Sequence, residues 1–206
     1  TPIKVITNGF DEVELEPVKK DSYFSISHIG SLLSDRNPTV LWEVLSELIA
    51  ENLEFKKFCR LNFAGVMSED IKESLSNFNL MPHTNILGYI NHQEALILQR
   101  SSQLLLVIEI DSPDTKAIIP GKLFEYLNAK TPIIALGPKD ADVSQIIKKT
   151  NSGDYFTYHD KAALKHKIND LFQCFLNDKL ISNTSDISQY SRKHLTSKLA
   201  QLILEY

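Results

Sequence analysis

The chain has 206 residues, of which 43% are hydrophobic and 23% charged, and its formal net charge is -4. These values are typical of a globular domain with a sizeable core, and the mild negative charge argues against a nucleic-acid-binding surface or a general attraction to anionic lipid. The cysteines Cys59 and Cys174 are too few for a disulfide framework and lack metal-ligand spacing, so we expect reduced thiols in a cytoplasmic protein. We also expect neither a transmembrane helix nor a secretory signal.

In the first half of the chain, short apolar stretches alternate with segments of helical periodicity. Asn37 and Pro38 mark a helix start, with Asn37 as the N-cap, because apolar residues then recur at helical spacing as far as Ile49. The polar, acidic segment 11–21 indicates a loop. The other predicted elements of this half are strands at 3–6, 23–29, within 58–66 and at 85–89, and helices at 69–78 and 92–99.

The second half continues the alternation. Residues 104–108 are apolar enough for a strand that is buried on both faces of a parallel sheet. The other predicted elements are a helix from Leu123, a strand at 132–136, a helix at 143–149, a strand at 153–158, and helices at 161–176 and 191–206, with a polar linker at 182–188. This pattern predicts an α/β fold with a doubly wound, Rossmann-like parallel sheet of about six strands. Ligands of such sheets bind beyond the carboxyl ends of the strands, near the point where the strand order reverses.

The stretch from Ile119 to Leu136 carries the strongest functional signal. It places Gly121, Lys122 and Glu125 where a loop enters a helix, directly after a predicted buried strand. A helix N-terminus offers unpaired N–H groups and a partial positive charge, both of which favour a phosphate. Glu125 lies about one turn after Lys122 and can share its face of the helix. A cation for phosphate beside a carboxylate for sugar hydroxyls suits a nucleotide or a nucleotide sugar.

Four short motifs follow one another along the chain: Ile-Thr-Asn-Gly-Phe-Asp at 6–11, His-Ile-Gly-Ser-Leu at 28–32, Asn-Ile-Leu-Gly-Tyr-Ile at 85–90, and Gly-Lys-Leu-Phe-Glu-Tyr-Leu at 121–127 with Thr-Pro-Ile-Ile at 131–134. Each motif alone is weak, but in this order and spacing they resemble the donor-binding C-terminal half of a GT-B glycosyltransferase, most closely glycosyltransferase family 4. The resemblance runs over residues 6–206. It implies a retaining enzyme that transfers a sugar from a nucleoside-diphosphate sugar to an acceptor hydroxyl and binds its donor without a metal ion or further cofactor.

The resemblance also implies a binding role for several side chains, although it assigns no catalytic residue. The residues that it assigns to the donor are Glu125 for the ribose, Gly30, Arg36, Gly121 and Lys122 for the diphosphate, and Gly88 and Tyr89 beside the base. Two positions depart from the family. Ala117 stands where a second glutamate commonly lies near the transferred sugar, and Ser31 stands where an arginine often follows the first glycine. We expect Lys122 to supply the missing positive charge.

We expect two regions, a nucleotide-sugar-binding domain at 1–180 and a linker with a C-terminal helix at 181–206. The chain begins at Thr1 and resembles one half of an enzyme, so we expect a piece of a longer protein that lacks its N-terminal acceptor-binding domain and has little or no transfer activity alone. The last helix either packs back toward that absent domain or packs on this one. Membrane contact is an expectation for the full-length protein only, and no nucleic acid partner is expected.

Other interpretations remain open from sequence. A sugar-nucleotide epimerase half shares the architecture, and a non-catalytic nucleotide-binding module would be degenerate at Ala117 and Ser31. A flavodoxin-like interaction domain is a third, although the acidic cluster of a receiver domain is not seen after the first strand. His28, just before Gly30, either faces the ligand cleft or is a hydrogen-bonded structural histidine.

Overall fold

A computed structural model describes residues 3–13 and 16–204, so residues 14 and 15 of the acidic segment and the last two residues of the predicted final helix lie outside the described residues. Within the described ranges there are six strands and eight α-helices. The strands are β1 (Phe24–Ile29), β2 (Cys59–Ala64), β3 (Thr84–Gly88), β4 (Leu104–Ile108), β5 (Ile133–Leu136) and β6 (Gly153–Phe156). The helices are α1 (Thr39–Glu51), α2 (Leu53–Phe58), α3 (Glu69–Asn77), α4 (His92–Ser101), α5 (Gly121–Ala129), α6 (Asp142–Thr150), α7 (Lys161–Leu176) and α8 (Arg192–Leu204).

All strands are parallel and form one sheet in the order β3-β2-β1-β4-β5-β6. The chain builds the sheet outward from β1 to β3, then returns to the other side of β1 and continues to β6. This confirms the predicted doubly wound, Rossmann-like α/β fold. The reversal of strand order lies between β1 and β4, where Ile26 pairs with Leu104. In open α/β sheets the ligand crevice lies beyond the carboxyl ends of the two strands at this reversal, so we call the region beyond β1 and β4 the crevice.

The sheet is covered on both faces, and its strands β4 and β5 are apolar throughout. On one face, Trp42 and Phe172 belong to a large buried cluster in which Phe24 and Phe55 meet Phe172 edge to face, at ring-centroid distances of 5.3 and 4.9 Å. The second face carries a smaller cluster, formed by strand residues such as Val107 together with side chains of α5 and α6. The buried thiol of Cys59 lies in the first cluster.

The two ends of the described chain meet beside α5. The backbone of Phe10 donates to Tyr190 O at 3.0 Å and accepts from Arg192 N at 2.9 Å. The Asp11 carboxylate also accepts from the Arg192 guanidinium at 2.6 Å. Phe10 is buried in the same cluster as the apolar face of α5, so this terminal clasp, residues 8–11 on residues 190–195, supports the helix that carries the strongest sequence motif.

Three local predictions are wrong or incomplete. Residues 3–6 form no strand, because they pair with none of the six described strands, and Ile3 and Val5 are left exposed. Asn37 does not cap α1, since Pro38 is the N-cap and the Asn37 amide oxygen instead accepts from Trp42 Nε1 at 2.8 Å. Helix α2 was not predicted; it begins after Asn52, whose side chain caps it. Among the described helices, none has the length and apolar character needed to cross a membrane.

Candidate functional site

The crevice at the strand reversal has two walls that the backbone fixes. Gly30 follows β1 and donates its N–H to Ala64 O at 2.7 Å. Glu109 follows β4 and donates its N–H to Leu136 O at 2.8 Å. Helix α5 enters between these strand ends, and its Tyr126 hydroxyl oxygen accepts from Ile29 N at 2.9 Å. The middle of α5 is therefore anchored directly to the end of β1.

Lys122 points from the first turn of α5 toward the end of β1. Its Nζ lies 3.0 Å from His28 Nε2. A side chain at Gly30 would collide with it, because a Cβ built there would lie 2.7 Å from Lys122 Nζ, and the Gly30 φ of +116° is itself unfavourable for other residues. Glycine at this position thus makes room for the lysine. Pro120 is the N-cap of α5 and provides no side-chain cap for the first N–H groups.

His28 is fully buried and positions the lysine. Its Nδ1 lies 3.1 Å from Leu106 O on β4, which fixes a neutral tautomer in which Nδ1 donates to the carbonyl and Nε2 accepts from the Lys122 ammonium. Desolvation, followed by the nearby Lys122 charge, lowers the pKa of His28 to about 3. The structural interpretation of this histidine is therefore correct, and its hydrogen bond also holds Lys122 in place.

The Lys122 ammonium stands in an unfavourable environment. Burial, followed by the charge of Arg36, lowers its pKa from 10.5 to about 8, and the Glu109 carboxylate offsets only part of that shift. The partial positive charge of the α5 N-terminus adds a further unfavourable field for a cation. A partly buried ammonium at the positive end of a helix, beside a guanidinium, creates a local positive potential that an anion would relieve.

Arg36 and Glu109 form the second charged pair of the crevice. Arg36 lies in a short 3-10 helix, Ser34–Arg36, and its Nη2 is 3.7 Å from Glu109 Oε2. Glu109 is 3% exposed, and desolvation raises the pKa of its carboxyl group although Arg36 and Lys122 act in the opposite direction. Glu109 is not among the residues that the sequence motifs single out. The available signal is an acidic residue directly after a wholly apolar strand, at the edge where ligands bind.

Glu125 lies on the same helix as Lys122 but contacts a different neighbour. Its Oε2 accepts from Gln99 Nε2 on α4 at 2.9 Å. It also lines a cavity of about 120 Å³ together with the terminal clasp and with Asn128 of α5. The two side chains therefore point in different directions: Lys122 contacts the end of β1, whereas Glu125 contacts α4.

The residues predicted beside the base lie farther along the same rim. Gly88 ends β3, which is an edge strand, and Tyr89 is 93% exposed. Because β2 lies between β3 and β1, these residues are two strand spacings, or about 10 Å, from the end of β1. Gly121 packs against the terminal clasp, since a Cβ built on it would be 3.2 Å from Asn8 Nδ2. Ser31 and Ala117, the two departures from the family, are both exposed.

The largest of the cavities found lies elsewhere. It has a volume of about 540 Å³ and is lined by residues that precede β1 and β4, such as Asp21 and Gln103, together with Phe175 and Leu180. It is therefore at the amino ends of the strands. Because ligands of open α/β sheets bind at the carboxyl ends, we place the candidate site at the Lys122 crevice and not in this larger cavity.

No family model and no curated protein sequence matches the chain. Among solved structures, sucrose-phosphate synthase from Thermosynechococcus elongatus matches with a TM-score of 0.74 and 12% identity, over 98% of this chain and 52% of that one. A glycosyltransferase from Rickettsia africae matches with a TM-score of 0.70 and 19% identity, over 90% and 48%. Anabaena HepE in complex with UDP matches with a TM-score of 0.69 and 13% identity, over 89% and 49%.

The chain spans about half the length of these proteins. At such low identity the similarity establishes the fold, and it covers nearly all of this chain. The sequence resemblance is thus confirmed at the level of architecture: the chain has the fold of one Rossmann-like half of a GT-B glycosyltransferase.

Proposed function

We propose that this domain binds a nucleoside-diphosphate sugar and forms the donor-binding half of a glycosyltransferase that transfers the sugar to an acceptor hydroxyl and retains the configuration at C1. The observation that carries the proposal is the Lys122 ammonium, partly buried over Gly30 at the strand reversal and at the positive end of α5. UDP bound to Anabaena HepE, which shares the fold, supports the choice of ligand.

In this proposal each part of the crevice binds one part of the donor. Lys122, Arg36 and the first N–H groups of α5 at Gly121 bind the diphosphate, close to the backbone of Gly30. Glu125, oriented by Gln99, accepts hydrogen bonds from the ribose hydroxyls. Gly88 and Tyr89 lie beside the base at the far end of the rim.

The chemical contribution of these residues is electrostatic. As the bond between the sugar and the diphosphate breaks, negative charge accumulates on the departing phosphate, and fixed cations and N–H groups stabilise that charge more than they stabilise the ground state. Two cations and a helix N-terminus also offset the diphosphate charge, and we propose that donor binding needs no metal ion. The acceptor site and part of the catalytic geometry would belong to a further domain, so we propose little transfer activity for this chain alone.

The proposal is tested by calorimetric titration and thermal shift with UDP, GDP, ADP and CMP and their sugar conjugates, each with and without EDTA. Ligands that bind only the folded state raise its apparent stability. We expect one diphosphate to bind selectively, with loss of binding in Lys122→Met and Glu125→Ala. The matched control is Lys148→Met, at an exposed position on α6, which should leave binding unchanged.

Two results would contradict the proposal. Absence of binding by every diphosphate and conjugate would reject nucleotide-sugar binding by this domain. Equal binding by the wild-type protein and Lys122→Met would move the phosphate site away from the crevice. Binding of a diphosphate without transfer in any longer form of the protein would favour the non-catalytic nucleotide-binding module instead.

A further inference from the structure

Glu109 is a buried negative charge in a site that otherwise attracts anions. Its Oε2 is buried without a hydrogen-bond partner, and so is Nε of the neighbouring Arg36. Nη2 of Arg36 is 3.7 Å from Glu109 Oε2, which is an ion-pair distance but not a hydrogen bond. Buried unpaired polar atoms are costly, so a carboxylate retained in this arrangement calls for an explanation.

Hydrogen bonds and close packing hold Glu109 in a fixed position. Its N–H donates to Leu136 O, and its carbonyl oxygen accepts from the Tyr158 hydroxyl at 2.8 Å. A Cβ at Gly137 would lie 3.1 Å from the Glu109 Cβ, so the side chain is closely packed from the β5 side as well. Among the described residues, the cations that act on this carboxylate are Arg36 and Lys122.

Its burial means that Glu109 acts on a ligand through space and not by touching it. Arg36 and Lys122 are neighbours of the Glu109 carboxylate, so an anion bound by them would be separated from it only by these side chains. Repulsion between the two negative charges in such a poorly solvated site is stronger than in water. The strength of this repulsion depends on how many charges the ligand carries. A free nucleoside diphosphate has about three negative charges near neutral pH, whereas its sugar conjugate has about two, because the sugar esterifies the terminal phosphate.

We propose that Glu109 sets the selectivity of the site between donor and product: its charge lowers the affinity for the free nucleoside diphosphate more than the affinity for the nucleoside-diphosphate sugar. This inference rests on the proposed function and extends it to release of the product. Transfer of the sugar adds one negative charge to the group held at the crevice, so the same carboxylate that tolerates the donor favours departure of the diphosphate.

The test compares the dissociation constants of UDP and UDP-glucose for the wild-type protein and Glu109→Gln at pH 7, by calorimetry. One charge at about 7 Å with an effective dielectric constant of about 40 corresponds to a factor of about five to ten. We therefore expect UDP to bind Glu109→Gln more tightly, and the ratio of the UDP-glucose to the UDP dissociation constant to rise by that factor.

The controls separate this inference from its alternatives. Glu73→Gln, at an exposed position on α3, changes the net charge equally and should leave the ratio unchanged. Glu109→Leu, which suits buried surroundings, is the second charge-removing variant if Glu109→Gln fails to fold.

Two outcomes would overturn the inference. One is an unchanged ratio, and if both ligands weaken equally it would make Glu109 an anchor for Arg36. The other is weakening of UDP-glucose alone, which would mean direct contact with the sugar. If the wild-type protein binds none of UDP, ADP, GDP and their hexose conjugates, the proposed function itself fails. That result is distinct from an unchanged ratio, which requires that both ligands bind.

Discussion

The partly buried ammonium of Lys122 predicts an unusual dependence of stability on pH. Its pKa falls from 10.5 in the unfolded chain to about 8 in the folded one. Between these values the unfolded chain holds a proton that the folded chain has released, so raising the pH stabilises the folded state. For these two pKa values the gain from pH 7 to pH 9 is on the order of 1 kcal/mol, most of it above pH 8.

The variant Lys122→Met removes this titration and keeps the length and the apolar part of the side chain. Other groups also titrate in this range, among them Lys20, whose pKa burial lowers to about 8, but they are common to both proteins. The measured quantity is therefore the difference in free energy of unfolding between the wild-type protein and the variant at each pH. We expect that difference to change by about 1 kcal/mol in favour of the wild-type protein between pH 7 and pH 9.

Urea denaturation gives both free energies, and the single tryptophan offers the probe. Trp42 is fully buried in the larger core cluster, so its fluorescence should report global unfolding. Lys148→Met is the matched control and should follow the wild-type protein at both pH values. A wild-type minus Lys122→Met difference that is the same at pH 7 and pH 9 would refute a buried, strained ammonium at this position.

Two further predictions concern the residues that place Lys122 and Glu125. Gly30→Ala should destabilise the fold by about 1–3 kcal/mol and weaken UDP binding, because alanine disfavours the positive φ of this position and its methyl group displaces Lys122 Nζ. The control is Gly88→Ala, where φ is +65° and nothing lies within 4 Å of a built Cβ, and urea denaturation should show a smaller loss of stability for it. Equal losses for the two variants would contradict the role of Lys122. Gln99→Leu should weaken UDP binding severalfold, because it removes the hydrogen bond that orients Glu125. Its effect on stability should be less than about 1 kcal/mol, because it also removes Gln99 Oε1, a buried oxygen without a hydrogen-bond partner. Titration with UDP and thermal unfolding test the two parts, and unchanged affinity would show that Glu125 needs no orienting partner.

The elements that sequence predicts best are those whose signal is local. The strand Leu104–Ile108 and the helix Lys161–Leu176 have the predicted bounds, because an unbroken apolar run and a long helical periodicity each need no knowledge of neighbours. Residues 3–6 look like a strand by the same measure. However, they pair with no described strand and leave Ile3 and Val5 exposed, because a local pattern does not specify whether a partner strand and a covering layer are present.

The candidate site is predictable only in part for a related reason. The motif at 121–127 identifies Lys122 and Glu125, since a glycine and a lysine at a helix start are visible along the chain. The contacts of His28 with Leu106, and of Arg36 with Glu109, join segments that are adjacent only because β1 lies beside β4. Strand order is a property of the whole sheet, so these partners emerge from the fold and not from the motif.

The terminal clasp gives the crevice a dependence on the most distant parts of the chain. Asp11 and Arg192 are separated by 181 residues, and Asn8 beside them touches Gly121 at the start of α5. These contacts close a loop of nearly the whole chain, so their formation carries a large entropic cost and cannot begin from neighbouring residues. We expect the sheet to assemble first and the clasp last, so that the support beneath the first turn of α5 is completed only when residues 8–11 have met residues 190–195.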